Sequence, residues 1–107
     1  MPEQVMGPSY GASVVVDIGG DVGAVVLHTP AWLAGDEIEI RRKDREDNGT
    51  RPTHAAVRAR RMETGDSFAA VFPAVEAGQY TLHSLRHPGV AARNVTVIGG
   101  RVTEAAW

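Results

Sequence analysis

The clearest pattern in the chain is the alternation Glu37-Ile38-Glu39-Ile40-Arg41. Side chains on a strand point to opposite faces in turn, so Ile38 and Ile40 share a buried face while Glu37, Glu39 and Arg41 share a wet one. Similar short apolar runs recur along the chain, each bounded by turn residues. Val22 to His28 reads as a strand behind the turn Gly19-Gly20, with a partner strand expected near 12–18, and Pro30 ends it. The run "THAAVRARRM" reads as one strand, with Ala55, Val57 and Ala59 inward and His54, Arg58 and Arg60 outward. "SFAAVFP" reads as a short strand stopped by Pro73. "QYTLHSL", "ARNVTVI" and "RVTEAAW" complete the set. "AWLAGD" is either a short helical turn or an irregular connection, with Trp32 and Leu33 expected to fold inward.

Seven or eight strands of about six residues, separated by turns and without a convincing helix, predict a sandwich or barrel. The fold class expected is all-β, a seven- to eight-stranded Greek-key β-sandwich of immunoglobulin- or prealbumin-like type. At 107 residues the chain suits one domain, read here as 12–107 behind a loose tail at 1–11.

Gly78 and Tyr80 carry a local prediction. A glycine ahead of a strand permits a sharp turn, and a tyrosine at the strand start covers the core. Its hydroxyl then satisfies a backbone group upstream, an arrangement known as the tyrosine corner of Greek-key sandwiches. Gly78 and Tyr80 are therefore assigned structural roles.

The stretch 67–107 contains Phe72-Pro73, Gly78, Tyr80, Pro88-Gly89, Val95, Val97, Gly100 and Val102 in order. In this arrangement it resembles the second half of prealbumin-like (transthyretin-like) β-sandwich domains. It is most similar to the carboxypeptidase regulatory-like and Cna-B-type modules. The resemblance implies a sandwich fold and an interaction module, not a chemistry. Cna-B-like modules often carry a Lys–Asn isopeptide bond, but the single lysine is Lys43, at the edge of a charged loop, and no early-strand lysine faces Asn94. Prealbumin-like hydroxyisourate hydrolases end in Tyr-Arg-Gly-Ser, and this chain ends in "TEAAW". Neither chemistry is expected.

Charge changes the picture only through its distribution. Net charge is −2, yet eight of the eleven Lys and Arg residues lie between 41 and 61 against three acids. That segment carries +5 and the remainder −7, a polarity that suits an anionic partner or self-association. Arg41, Arg58, Arg60 and His54 are the candidate anion- or partner-binding residues, taken to lie on adjoining strands. The competing reading pairs Glu37 and Glu39 with Arg58 and Arg60 across those strands. Nucleic acid is not expected, because acids interrupt the basic loop and stacking aromatics are few.

Catalytic and metal chemistry find little support. His28, His54, His83 and His87 lack a helical spacing that would make a zinc set, and no metal or cofactor is expected. Asp17 and Asp21 flank a plain turn. Ser84 lies near His83 and His87 without a visible third member of a triad, so no catalytic residue is assigned. Asp36, Glu37 and Glu39 read as a solvated acidic edge. Without cysteine, a signal-like N-terminus or a membrane-spanning run, the chain is expected to be cytoplasmic. The function expected is a non-enzymatic module for a protein partner or a homo-oligomer. The alternatives are a small ester or phosphoester hydrolase with a His-lined site, and an anionic-ligand binder using the Arg-rich 41–61 segment.

Overall fold

A computed structural model describes residues 18–43, 53–63 and 65–107. Among these residues, eight strands form two four-stranded sheets packed face to face. They are β1 (Val22–Thr29), β2 (Glu37–Arg42), β3 (Thr53–Ala56), β4 (Arg58–Met62), β5 (Gly65–Glu76), β6 (Gly78–Ser84), β7 (Arg93–Val97) and β8 (Val102–Ala106). The orders are β4-β5-β1-β8 and β3-β2-β6-β7. All ladders are antiparallel except β1–β8, which is parallel. The hairpins β2–β3, β4–β5 and β6–β7 stay within a sheet, and the remaining connections cross between sheets. No helix among the described residues is long and apolar enough to cross a membrane.

The core lies between the sheets. Val25 and Leu27 of β1 and Ala70 and Phe72 of β5 meet Ile38, Ile40, Tyr80, Leu82, Val95 and Val97 of the other sheet. Ile38 and Ile40 are buried and Arg41 is exposed, while Glu37 and Glu39 are half-buried. Each fully buried aliphatic side chain of this kind contributes roughly 1.5–3 kcal/mol through loss of apolar surface to water.

Three local expectations are corrected. Residues 53–62 are two strands in different sheets, not one. The chain changes sheet at Val57, which is 2% exposed and pinned by Val57 N–H to Asp36 O at 2.8 Å and Gly35 N–H to Val57 O at 3.0 Å. The alternation therefore breaks there, and Ala59 is exposed. Pro73 does not end β5, which runs to Glu76. The ladder with β1 steps from Val25–Phe72 to Gly23–Val75, so Pro73 and Ala74 lie opposite Ala24 alone. Such a bulge is a place where a residue without an N–H can stay within a strand. Trp32 does not fold inward: it is 59% exposed, whereas Leu33 beside it is buried.

The Gly19-Gly20 turn is tight. Gly19 and Val22 exchange both backbone hydrogen bonds at 2.9 Å around Gly20 and Asp21, and Gly20 has φ 56°. The strand expected near 12–18, the tail at 1–11 and the loop 44–52 lie outside the described residues, apart from Ile18.

Tyr80 is 7% exposed, and its hydroxyl donates to the Glu76 carbonyl at 2.6 Å. The Arg42 guanidinium donates to the same hydroxyl at 3.0 Å and to Glu76 Oε1 at 2.9 Å, and lies over the Tyr80 ring at 5.2 Å. Gly78 has φ 157°, at the border of extended backbone. A Cβ there would meet Arg42 Nη2 at 2.5 Å. Changing Tyr80 to Phe removes the hydroxyl that satisfies Glu76 and should destabilise the fold by about 1–2 kcal/mol. Urea unfolding curves that superimpose for the two proteins would contradict this role.

Candidate functional site

Two connections meet at one end of the sandwich. The first follows β1: Pro30 closes the strand and a single 3₁₀ turn, Ala31–Leu33, follows. Gly35, at φ 82°, then reverses the chain into Asp36 and β2. The second follows β6, running from Ser84 through Leu85, Arg86, His87 and the Pro88-Gly89 turn, which Val90 N–H closes onto His87 O at 2.9 Å. The β2–β6 ladder pairs Ile38 with Ser84 and places the two connections side by side. Trp107 Nε1–H, donating to Ala91 O at 2.9 Å, anchors the residues beyond.

Asp36 joins these connections. Its side chain is fully withdrawn from solvent, and both carboxylate oxygens are satisfied. Oδ1 accepts from the backbone N–H of Glu37 at 2.7 Å and of Arg86 at 3.1 Å. Oδ2 accepts from Ser84 Oγ at 2.6 Å and His87 Nδ1 at 2.8 Å. Burial pushes the Asp36 carboxyl up, and hydrogen bonds from Ser84, His87, Arg86 and Glu37 outweigh it, leaving the group below its ordinary value of 3.8. An ionised carboxylate only accepts, so Nδ1 of His87 carries a proton and donates it to Oδ2. The Trp32 ring meets the His87 ring edge-to-face, centroids 5.3 Å apart. Trp32 and Leu85 are among the exposed large hydrophobic residues.

Asp36 is therefore not part of a solvated acidic edge. It also supplies an acid to Ser84 and His87, but not as a hydrolytic triad. Ser84 is 5% exposed, gives its hydroxyl hydrogen to Asp36 and accepts from His87 N–H at 2.9 Å. A nucleophilic serine needs its hydroxyl hydrogen-bonded to the histidine that will take the proton, and here the carboxylate holds both groups.

The other histidines lie elsewhere. His28 meets Glu104 at 2.9 Å, His54 meets Glu37 at 2.8 Å, and His83 Nε2 meets Thr81 Oγ1 at 2.8 Å. Burial pushes His83 below its ordinary value of 6.5, Arg41 pushes the same way, and Glu39 partly offsets both. The fold thus favours neutral His83, and this contribution to stability is lost as the pH falls below 6.5. No group of three His, Cys, Asp or Glu residues among the described residues could hold a metal ion.

The basic residues are divided between the two sheets. Arg41 pairs with Glu39 on β2, and His54 stands on β3, opposite Glu39. Arg58 and Arg60 belong to β4 in the other sheet, opposite Ala69 and Ser67 of β5. The cross-strand pairs expected between Glu37, Glu39 and Arg58, Arg60 are replaced by register with Ala56 and His54. Arg45 and Arg51 lie outside the described residues.

The Asp36 cluster left one signal in the sequence. Positions 36, 38 and 40 share a face, as do 80, 82 and 84, so carrying either alternation one step further places Asp36 and Ser84 inward. Comparison with family models, curated proteins and solved structures finds no match for this chain.

Asp36→Asn should cost about 1–3 kcal/mol near neutral pH, because it replaces an acceptor-only group facing four donors. Asp36 titrates lower in the folded chain than its ordinary 3.8, so its contribution is present above that value and lost as the pH falls through the folded pKa. The stability gap between wild type and variant should therefore close on acidification below 3.8. A gap that stays constant in denaturant titrations from pH 7 to pH 3 would exclude an ionised Asp36 as its source.

Proposed function

We propose that this chain is a non-enzymatic β-sandwich module that holds a protein partner at the loop end organised by Asp36. The observation that carries this reading is the exposure of Trp32 and Leu85 on connections tied together by a buried carboxylate. Tryptophan is prominent among the residues that dominate binding energy at interfaces. Loops already fixed by hydrogen bonds lose little conformational freedom on association. The likeness of 67–107 to prealbumin-like domains, nearest to carboxypeptidase regulatory-like and Cna-B-type modules, supports a binding role by analogy of fold. A cytoplasmic setting belongs to the same reading and suits a cysteine-free chain.

The two alternatives fit less well. A hydrolase would find a histidine backed by an acid at His87, but the hydroxyl of Ser84 is committed to Asp36. An anion site would need Arg41, Arg58, Arg60 and His54 together, and they are split between two sheets.

The immobilised chain should retain a protein partner from native lysate, and calorimetry with that partner, once purified, should measure the affinity. Trp32→Ser should weaken binding by about tenfold or more, equivalent to ~1.4 kcal/mol, whereas Arg58→Glu should leave it unchanged. Equal affinity for wild type and Trp32→Ser rejects the loop end as the binding site. Ester or phosphoester hydrolysis abolished by His87→Ala would replace the binding reading with the hydrolytic one.

A further inference from the structure

The connection from β6 to β7 carries charge that the described residues leave unanswered. Between Leu85 and Arg93 the sequence holds Arg86, His87 and Arg93 and no acid. Arg86 is exposed, and so is Arg93 where β7 begins. Among the described residues, neither guanidinium meets a carboxylate. The acids of this end instead face histidines, His87 with Asp36 and His54 with Glu37. Arg86 reaches Asp36 through its backbone N–H, at 3.1 Å, which leaves its side chain uncommitted.

The acids within reach are already engaged. Asp36 has both oxygens satisfied by four donors, and Glu37 meets His54 at 2.8 Å. The β4–β5 hairpin arrives at the same end. Thr29, the last residue of β1, pairs with Phe68, so Gly65–Ser67 and the facing residues Arg60–Met62 project beyond β1. There Asp66 lies 3.5 Å from Arg61, and Glu63 stands against Arg60 in the balance of charge. Arg86 and Arg93 are the exposed charges left over. Both lie outside the Arg-rich 41–61 segment.

We propose that the partner held at the loop end is an acidic protein segment. One of its apolar side chains packs on Trp32, a neighbouring carboxylate meets Arg86, and Arg93 is a second cation for the same segment. The inference rests on the reading of the loop end as a binding site. The backbone N–H of Arg86 is fixed on Asp36, and the ring of the next residue, His87, touches Trp32. A cation and an exposed aromatic ring are thereby presented side by side. The planar guanidinium fork matches a carboxylate. Contact with Trp32 supplies affinity, while the charge steers encounter and selects among partners.

Two short peptides test this on the isotope-labelled full chain by NMR. One carries Leu-Phe flanked by glutamates, and the other has glutamine in place of every glutamate. The glutamate peptide should move the Trp32 indole signal and the amide signals of Arg86 and His87. It should bind about fivefold tighter than the glutamine peptide, the gain expected of two exposed ion pairs, and high salt should erase the difference. General attraction cannot produce this preference, because the chain carries a net charge of −2. Arg86→Gln, which keeps the backbone N–H on Asp36, should remove most of the preference and leave the affinity for the glutamine peptide unchanged. Equal affinity of the two peptides at Trp32 overturns the acidic class and leaves the loop end standing as a site. So does a preference that survives Arg86→Gln and Arg93→Gln together. The absence of shifts at Trp32 with either peptide overturns the proposal, and the Trp32→Ser comparison decides the loop end separately. Tighter binding of an oligothymidylate than of the glutamate peptide replaces the acidic segment with a nucleic acid.

Discussion

The organisation of this molecule's loop end depends on one buried carboxylate. Withdrawing a charge from water costs several kcal/mol unless hydrogen bonds replace the lost hydration. Asp36 meets that requirement with four donors drawn from two connections: Glu37 from its own, and Ser84, Arg86 and His87 from the other. Each donor is useful only if both connections hold their positions, so the need to satisfy the carboxylate orders them together. The backbone carbonyl of Asp36 extends the same constraint to Val57, where the chain passes from one sheet to the other. One residue thus joins a loop cluster, a sheet crossing and the first residue of β2.

The consequence of this arrangement is one of placement. Burial of Asp36 leaves Trp32 and His87 on connections tied together by hydrogen bonds, with their rings in contact. It also consumes the hydroxyl of Ser84. The same geometry that presents an apolar surface therefore commits the Ser84 hydroxyl to Asp36 rather than to His87. The two outer faces of the sandwich differ correspondingly. The β3-β2-β6-β7 sheet shows charged and polar pairs such as Arg41–Glu39, His54–Glu37 and Thr96–Gln79. The outward-pointing Ala24, Val26 and Ala69 of the other sheet are withdrawn from solvent.

Much of the architecture was legible because strands announce themselves through alternation. Glu37 to Arg41, Gly78 to Ser84 and Arg93 to Val97 all follow it, and their boundaries lie at Gly, Pro or charged turns. Legibility failed where a backbone event left no mark in the pattern. Val57 fits the alternation on both sides, so the change of sheet there is invisible until Gly35 and Asp36 supply the hydrogen bonds that turn it. Pro73 resembles a strand terminator, and only the bulge opposite Ala24 makes it acceptable within β5. Trp32 resembles a core residue by composition, yet its place on a 3₁₀ turn at the sandwich end turns it outward.

By itself, the sequence determined where strands such as β2, β6 and β7 run and which of their side chains share a face, because those properties follow from a local period of two. It also determined that a tyrosine and a glycine stand together at the start of β6. Tertiary structure alone decided which strands neighbour one another, and with that which charges meet. Arg58 and Arg60 were separated from Glu37 and Glu39 by a single crossing, and Asp36 was brought to Ser84 and His87 across 48 and 51 positions of chain. Local periodicity carries no information about such distant pairings. They are settled by the demand that every buried polar group find a partner once the two sheets close.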